Sequence, residues 1–167
     1  MDIAEIDVFM AEPKSLQGPP PVWEDAGRQG ELSATWNVAD AIGVVRAQLR
    51  FRCAKQRRQW PSISLTYRQG LIYRVDLVPP DECKRNPVGG HLLGLPAIVC
   101  GVHCHSWPDN REYVQAAGLG HMPYRRPIHA QVRRLPQAML WLAQEINLIV
   151  DADQRGFDVP PQGGLFD

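Results

Sequence analysis

The chain has 167 residues, 44% of them apolar and 22% charged, so it is long enough to bury a core unaided and too apolar for global disorder. Its longest apolar stretches, such as Leu92 to Cys100, are short and broken by Gly and Pro, which excludes a bilayer-spanning helix. Three acids among the first seven residues oppose the basic start of a secretory signal. The expectation is a single cytoplasmic domain with no membrane partner, whose four cysteines are reduced thiols, Cys53 and Cys83 being buried or idle.

Zero net charge hides a segregation of sign. Residues 1–40 hold two basic and eight acidic side chains, residues 41–135 fifteen and five, and residues 136–167 one and five. The middle therefore stands at +10 between flanks of −6 and −4, and fifteen of the eighteen basic residues are Arg. Arg carries the planar fork that suits phosphate and carboxylate, so RNA or another polyanion is the expected partner.

In chain order, residues 1–30 are expected to be an extended N-terminal segment, with a short helix or strand over 2–11 followed by a connector holding four prolines. Residues 31–150 form the expected core. Leu32, Ala34, Trp36 and Val38 alternate with Ser33, Thr35 and Asn37, the period-two pattern of a half-buried strand. After a turn at 39–43, Val45, Ala47, Leu49 and Phe51 alternate with Arg46, Gln48, Arg50 and Arg52. Ile63, Leu65 and Tyr67 mark a third strand, Gln69-Gly70 a tight turn, and Leu71, Tyr73, Val75 and Leu77 a fourth strand whose other face carries Ile72, Arg74 and Asp76. Residues 79–90 read as a loop, Leu95 to His105 as a fifth strand, and Ser106 to Arg111 as a second loop. Pro136 and the spacing of Met139, Leu142, Ile146 and Ile149 predict a C-terminal helix, ahead of an acidic tail over 151–167. The fold class is α+β: an antiparallel meander of four to five strands packed by a C-terminal helix.

Arg74 and Asp76 are spaced i,i+2, as are His103 and His105, so each pair points to one face of its strand. If the two strands are neighbours, two imidazoles, a carboxylate and a guanidinium converge. Such a set suits metal-independent RNA cleavage without a cofactor: one histidine takes a proton from a 2′-hydroxyl, the other protonates the leaving oxygen, Arg74 stabilises the phosphorane, and Asp76 orients an imidazole. Arg50, Arg52 and Arg68, with Trp107, Asn110 and Arg111 on the following loop, are the expected substrate-binding residues; Trp107 has the shape to stack a base. A competing reading is a mononuclear metal site using His103 and His105 with His91 or Asp76, although no Cys-x-x-Cys pair is present and alternation sends Cys104 to the other face.

The run Leu71-Ile-Tyr-Arg-Val-Asp-Leu, a Pro-rich loop and Gly101-Val-His-Cys-His resemble the TumE-type family of small bacterial toxins, which have an Arg-x-Asp strand followed by a His-x-His strand. The resemblance covers residues 62–111. It implies a ribonuclease of bacterial defence with Arg74, Asp76, His103 and His105 as its site, and an antitoxin as protein partner. The loop carries Pro79-Pro80-Asp81-Glu82 where the family pattern leads one to expect a histidine beside the proline, and His91 is the candidate to replace it.

Two other readings compete. A non-enzymatic binding protein, such as a phage-type inhibitor, would use the arginine face without catalysis. A four-strand meander, Asn86-Pro87, and a cysteine before a Trp-Pro also resemble a ubiquitin-conjugating E2 enzyme, with Cys100 as thioester nucleophile. Gln162-Gly-Gly-Leu-Phe matches the pattern of peptides that dock on the bacterial sliding clamp.

Overall fold

The computed structural model describes residues 2–27, 30–129 and 131–162; most of the Gln162–Phe166 match thus lies outside the described residues. The elements in order are α1 (Ile3–Ala11), β1 (Lys14–Leu16), β2 (Glu24–Asp25), β3 (Glu31–Ala39), β4 (Val45–Ala54), β5 (Ser62–Tyr67), β6 (Gly70–Asp76), β7 (Cys83–Arg85), a 3-10 turn (Gly90–Leu93), β8 (Ile98–Cys100), β9 (His103–His105), α2 (Trp107–Ala117), β10 (Arg126–Pro127), α3 (Leu135–Glu145) and β11 (Leu148–Ile149). The class is mixed α+β. The sheet is larger than a four- to five-strand meander: among the described residues nine strands belong to it, in the order β10-β9-β6-β5-β4-β3-β1-β11, with β2 added beside β3.

The meander β3 to β6 is antiparallel throughout, as the period-two pattern requires. Leu32, Ala34, Trp36, Val38, Leu49, Phe51, Ile63, Leu65 and Val75 are buried on one face, where Ile6 and Phe9 of α1 and Ala138, Met139 and Leu142 of α3 join them. Each large apolar side chain so buried contributes roughly 1.5–3 kcal/mol. Asp40 builds the β3–β4 turn by accepting from the amides of Ile42 and Val44, with Gly43 at φ +83°. The β5–β6 turn uses Arg68 and Gln69, both at positive φ, rather than Gln69-Gly70. Gly70 instead starts β6, packed so closely under the Leu119 side chain that a Cβ there would lie 2.8 Å from it.

Several expectations need correction. The N-terminal segment carries a short helix, α1, within the expected span and capped by Asp2, but the stretch after it is not merely extended: β1 pairs with both β3 and β11, so the segment completes the sheet. A bulge between Leu65 and Thr66 turns Ile72 into the core instead of onto the polar face. The fifth strand is two short ones in different sheets, because Gly101, at φ +74°, breaks the run between β8 and β9. Residues 107–117 are a helix, not a loop; Ser106 caps it by accepting from the Asp109 amide, and Pro108 sits in its first turn. The C-terminal helix ends at Glu145, where Asn147 at φ +55° turns the chain into β11 and leaves Ile149 exposed. The acidic tail is anchored, for Phe157 stacks on Trp23 at 5.7 Å and packs edge-on to Phe51 and Trp36.

Cys83 and Cys100 form a disulfide, contrary to the expectation of reduced thiols. They are 17 apart in sequence, but the β7–β8 register sets them directly opposite. Among the described residues no helix is long and apolar enough to cross a membrane.

Candidate functional site

The sheet register assembles the site. Because residues directly opposite in antiparallel strands share a face, two adjacent rows cross four strands: Arg52, Ser62, Asp76 and His103 in one, Arg50, Ser64, Arg74 and His105 in the other. The Arg-x-Asp and His-x-His strands are thus neighbours, and their four side chains meet on the face opposite the core. Cys104 points the other way, where the Tyr73 hydroxyl lies 3.9 Å from its sulfur and burial pushes its thiol up to about 11.

Asp76 stands at the centre. Its Oδ1 accepts from Arg74 Nε at 2.9 Å and Nη2 at 2.8 Å, while its Oδ2 lies 3.6 Å from Nε2 of both His103 and His105. The imidazoles are held from behind. His103 Nδ1 meets the Gly101 carbonyl at 2.8 Å and His105 Nδ1 the Met122 carbonyl at 2.6 Å. A carbonyl only accepts, so both Nδ1 atoms carry a proton, and in the neutral ring both Nε2 atoms are bare.

Burial pushes the pKa of each histidine down; the Asp76 carboxylate opposes this, and the charge of Arg125 adds to it. With each Nδ1 held as a donor, the cluster turns both Nε2 atoms and Asp76 Oδ2 toward one another. Their ligand atoms all lie within 4.8 Å of each other, and among the described residues no other His, Cys or acid joins them. His91 and His121 are exposed and outside the cluster. His103 Nε2 is buried without a hydrogen-bond partner.

Of the three clustered residues, Asp76 alone forms part of the wall of a depression of about 360 Å³, lined also by Arg52, Arg57, Arg74 and Lys84, by Trp60 and by the acids Glu31 and Glu82. The His105 side chain retains 10% of its surface and that of His103 only 2%. The other expected contacts are dispersed. Arg50 is exposed on the same face, its Nη2 donating to Gln48. Arg68 sits at the β5–β6 turn, paired with Glu5 at 2.7 Å. Trp107 is buried and donates to Asp7, so its ring is not free to stack a base. Asn110 is fully buried and staples Ser106 to Tyr124 through three hydrogen bonds, and Arg111 grips Asp7 of α1. These three residues tie α2 to the fold instead of lining a rim. Cys100, held in the disulfide, offers no free thiol for an E2-type thioester.

Sequence reasoning missed Arg125. Its Nε is buried without a partner, and its charge acts on both histidines while Asp76 and Arg74 act on it. It precedes β10, whose Pro127 pairs with His103, which puts Arg125 on the histidine side and Arg126 on the Cys104 side, paired with Asp109. No sequence pattern marked it, since its position follows from the pairing of a two-residue strand. No family model matches the chain, and neither does any curated protein or solved structure.

Proposed function

We propose that the protein is a toxin-like RNA-processing domain that cleaves phosphodiester bonds at the Asp76–His103–His105 cluster. The observation that supports this reading is the pair of cross-strand rows, which sets a proton-handling cluster beside an arginine-walled depression. Arg74 spends Nε and Nη2 on Asp76 and is still about half exposed, which leaves Nη1 for a phosphate oxygen. Arg52, on the same depression, offers a further cation to the backbone of a nucleic acid, whereas Lys84 is paired with Glu82 at 3.0 Å.

Transesterification needs a base for the 2′-hydroxyl and an acid for the leaving oxygen. Neither ring has an Nε2 proton to give at the outset, so the cluster takes the 2′-hydroxyl proton and returns it to the leaving oxygen, the buried His103 and His105 acting through an intervening oxygen. Asp76 holds Arg74 in place and biases the charge of both rings. A neutralising antitoxin, implied by the family resemblance, would cover this face with carboxylates.

The test is cleavage of end-labelled RNA by purified protein, wild type against Arg74→Ala, after both are shown to be folded. Loss of one phosphate-stabilising donor is expected to slow cleavage by about 100-fold or more. A folded wild type that binds RNA but does not cleave it, with or without added divalent metal, would leave the arginine face as a binding surface only.

A further inference from the structure

We propose that Asp76, His103 and His105 form a mononuclear binding site for a borderline divalent transition metal of the zinc class, with its open coordination position toward the arginine-lined depression. The inference deepens the reading of the same cluster but does not depend on RNA being the substrate.

Hydrogen-bond accounting carries the argument. Both Nδ1 atoms are committed as donors to the carbonyls of Gly101 and Met122, so in the neutral ring each Nε2 turns a free lone pair inward. The third inward atom, Asp76 Oδ2, is also an acceptor, and Arg74 occupies the other oxygen. One buried water has two protons to give and cannot satisfy three acceptors, whereas a cation accepts all three lone pairs at once.

The geometry agrees in scale. Zinc binds imidazole nitrogen and carboxylate oxygen at about 2.1 Å, so ligand atoms around a tetrahedral ion stand about 3.4 Å apart. Asp76 Oδ2 stands 3.6 Å from each Nε2, too long for a hydrogen bond and close to that edge. The supporting contacts are those of a metal centre as well: each ligating ring donates its far N–H to a backbone carbonyl, and the ligating carboxylate is itself hydrogen-bonded. His103 Nε2, buried and unpartnered, is a group for which the protein alone provides no use. Two imidazoles and one carboxylate select a zinc-class ion over magnesium or calcium, which prefer all-oxygen shells.

A bound ion would supply an activated water, the intervening oxygen through which buried imidazoles influence a substrate. Arg74 and Arg52, which line the adjoining depression, would then hold an anionic substrate next to it.

The test titrates chelator-stripped, non-reduced full-length protein with Zn²⁺ by calorimetry, and with Co²⁺ while following its visible absorption. No RNA is present, so the outcome is independent of cleavage. The expected result is one ion per chain, with affinity lowered by more than about 100-fold in Asp76→Asn and in His105→Ala, and unchanged in His91→Ala. Asp76→Asn is nearly isosteric and keeps the test valid if a histidine variant does not fold. No binding by folded wild type overturns the proposal, as does undiminished one-to-one binding by folded Asp76→Asn. Metal binding without RNA cleavage would keep the site and sink the ribonuclease reading.

Discussion

Replacing Asp76 by Asn isolates the three facing acceptors. In metal-free protein Oδ2 confronts two bare Nε2 atoms at 3.6 Å. An Asn amide can keep its oxygen toward Arg74 and turn its NH₂ to the imidazoles, replacing an acceptor–acceptor contact with donors after a shift of about half an ångström. A net buried hydrogen bond contributes about 0.5–1.5 kcal/mol. Against this stands the weakened Arg74 pair, whose guanidinium is 45% exposed and therefore contributes about 1 kcal/mol at most. The balance favours the variant by about 1 kcal/mol when both hydrogen bonds form, a rise in Tm of about 2–4 °C for a chain of this size. With zinc at about 100 times Kd the order reverses, because wild type gains about 2.7 kcal/mol that the variant cannot. Thermal melts of both proteins in EDTA and in zinc check this. Melting curves that keep the same order in both buffers would refute the reasoning.

Other predictions concern the frame of the site. Lys14 is 1% exposed and donates from Nζ to the carbonyls of Met10, Glu12 and Ile146, and burial lowers it from its usual 10.5 to about 8 against the raising influence of Glu12. Between those two values the unfolded chain holds the extra proton, so this residue makes stability rise with pH from about 8 to 10.5; Lys14→Met should lose that increment in urea midpoints compared at pH 7.5 and 9.5. Denatured, unreduced protein should titrate two thiols, Cys53 and Cys104, and reduction of Cys83–Cys100 should lower stability by about 3 kcal/mol for a loop of this length, read from denaturant melts with and without reductant. Asn110→Ala leaves the Ser106 and Tyr124 groups without partners and should destabilise by about 2–4 kcal/mol in denaturant melts, while the molecules that remain folded still bind Co²⁺ by its visible absorption.

Much of the sheet was legible because alternation is unambiguous where one face is buried and the other carries Ser, Thr and Arg, as in Ser33-Ala34-Thr35-Trp36 and Arg50-Phe51-Arg52. The i,i+2 spacing likewise placed Arg74 with Asp76 and His103 with His105, and the pairing of β6 with β9 brought the two pairs together. Short elements were not legible. The strands β1, β10 and β11 have two or three residues each, too few for any period, and their places depend on partners distant in sequence. The helix after Ser106 did have a readable start, Ser106 followed by Pro108 and Asp109, but its polar composition hid it. The disulfide depended on a hairpin register that spacing does not encode. Metal-independent acid–base chemistry followed from counting imidazoles on an exposed face; the chain around Met122 and Arg125 lies against them, and burial changes what the same imidazoles can do.

The most direct test of the account is RNA cleavage by chelator-stripped protein before and after zinc is restored, with His103→Ala/His105→Ala alongside. The account predicts no cleavage when stripped, recovery at one zinc per chain, and none from the folded double variant. Cleavage that persists undiminished in the stripped protein, or in the double variant, would contradict it.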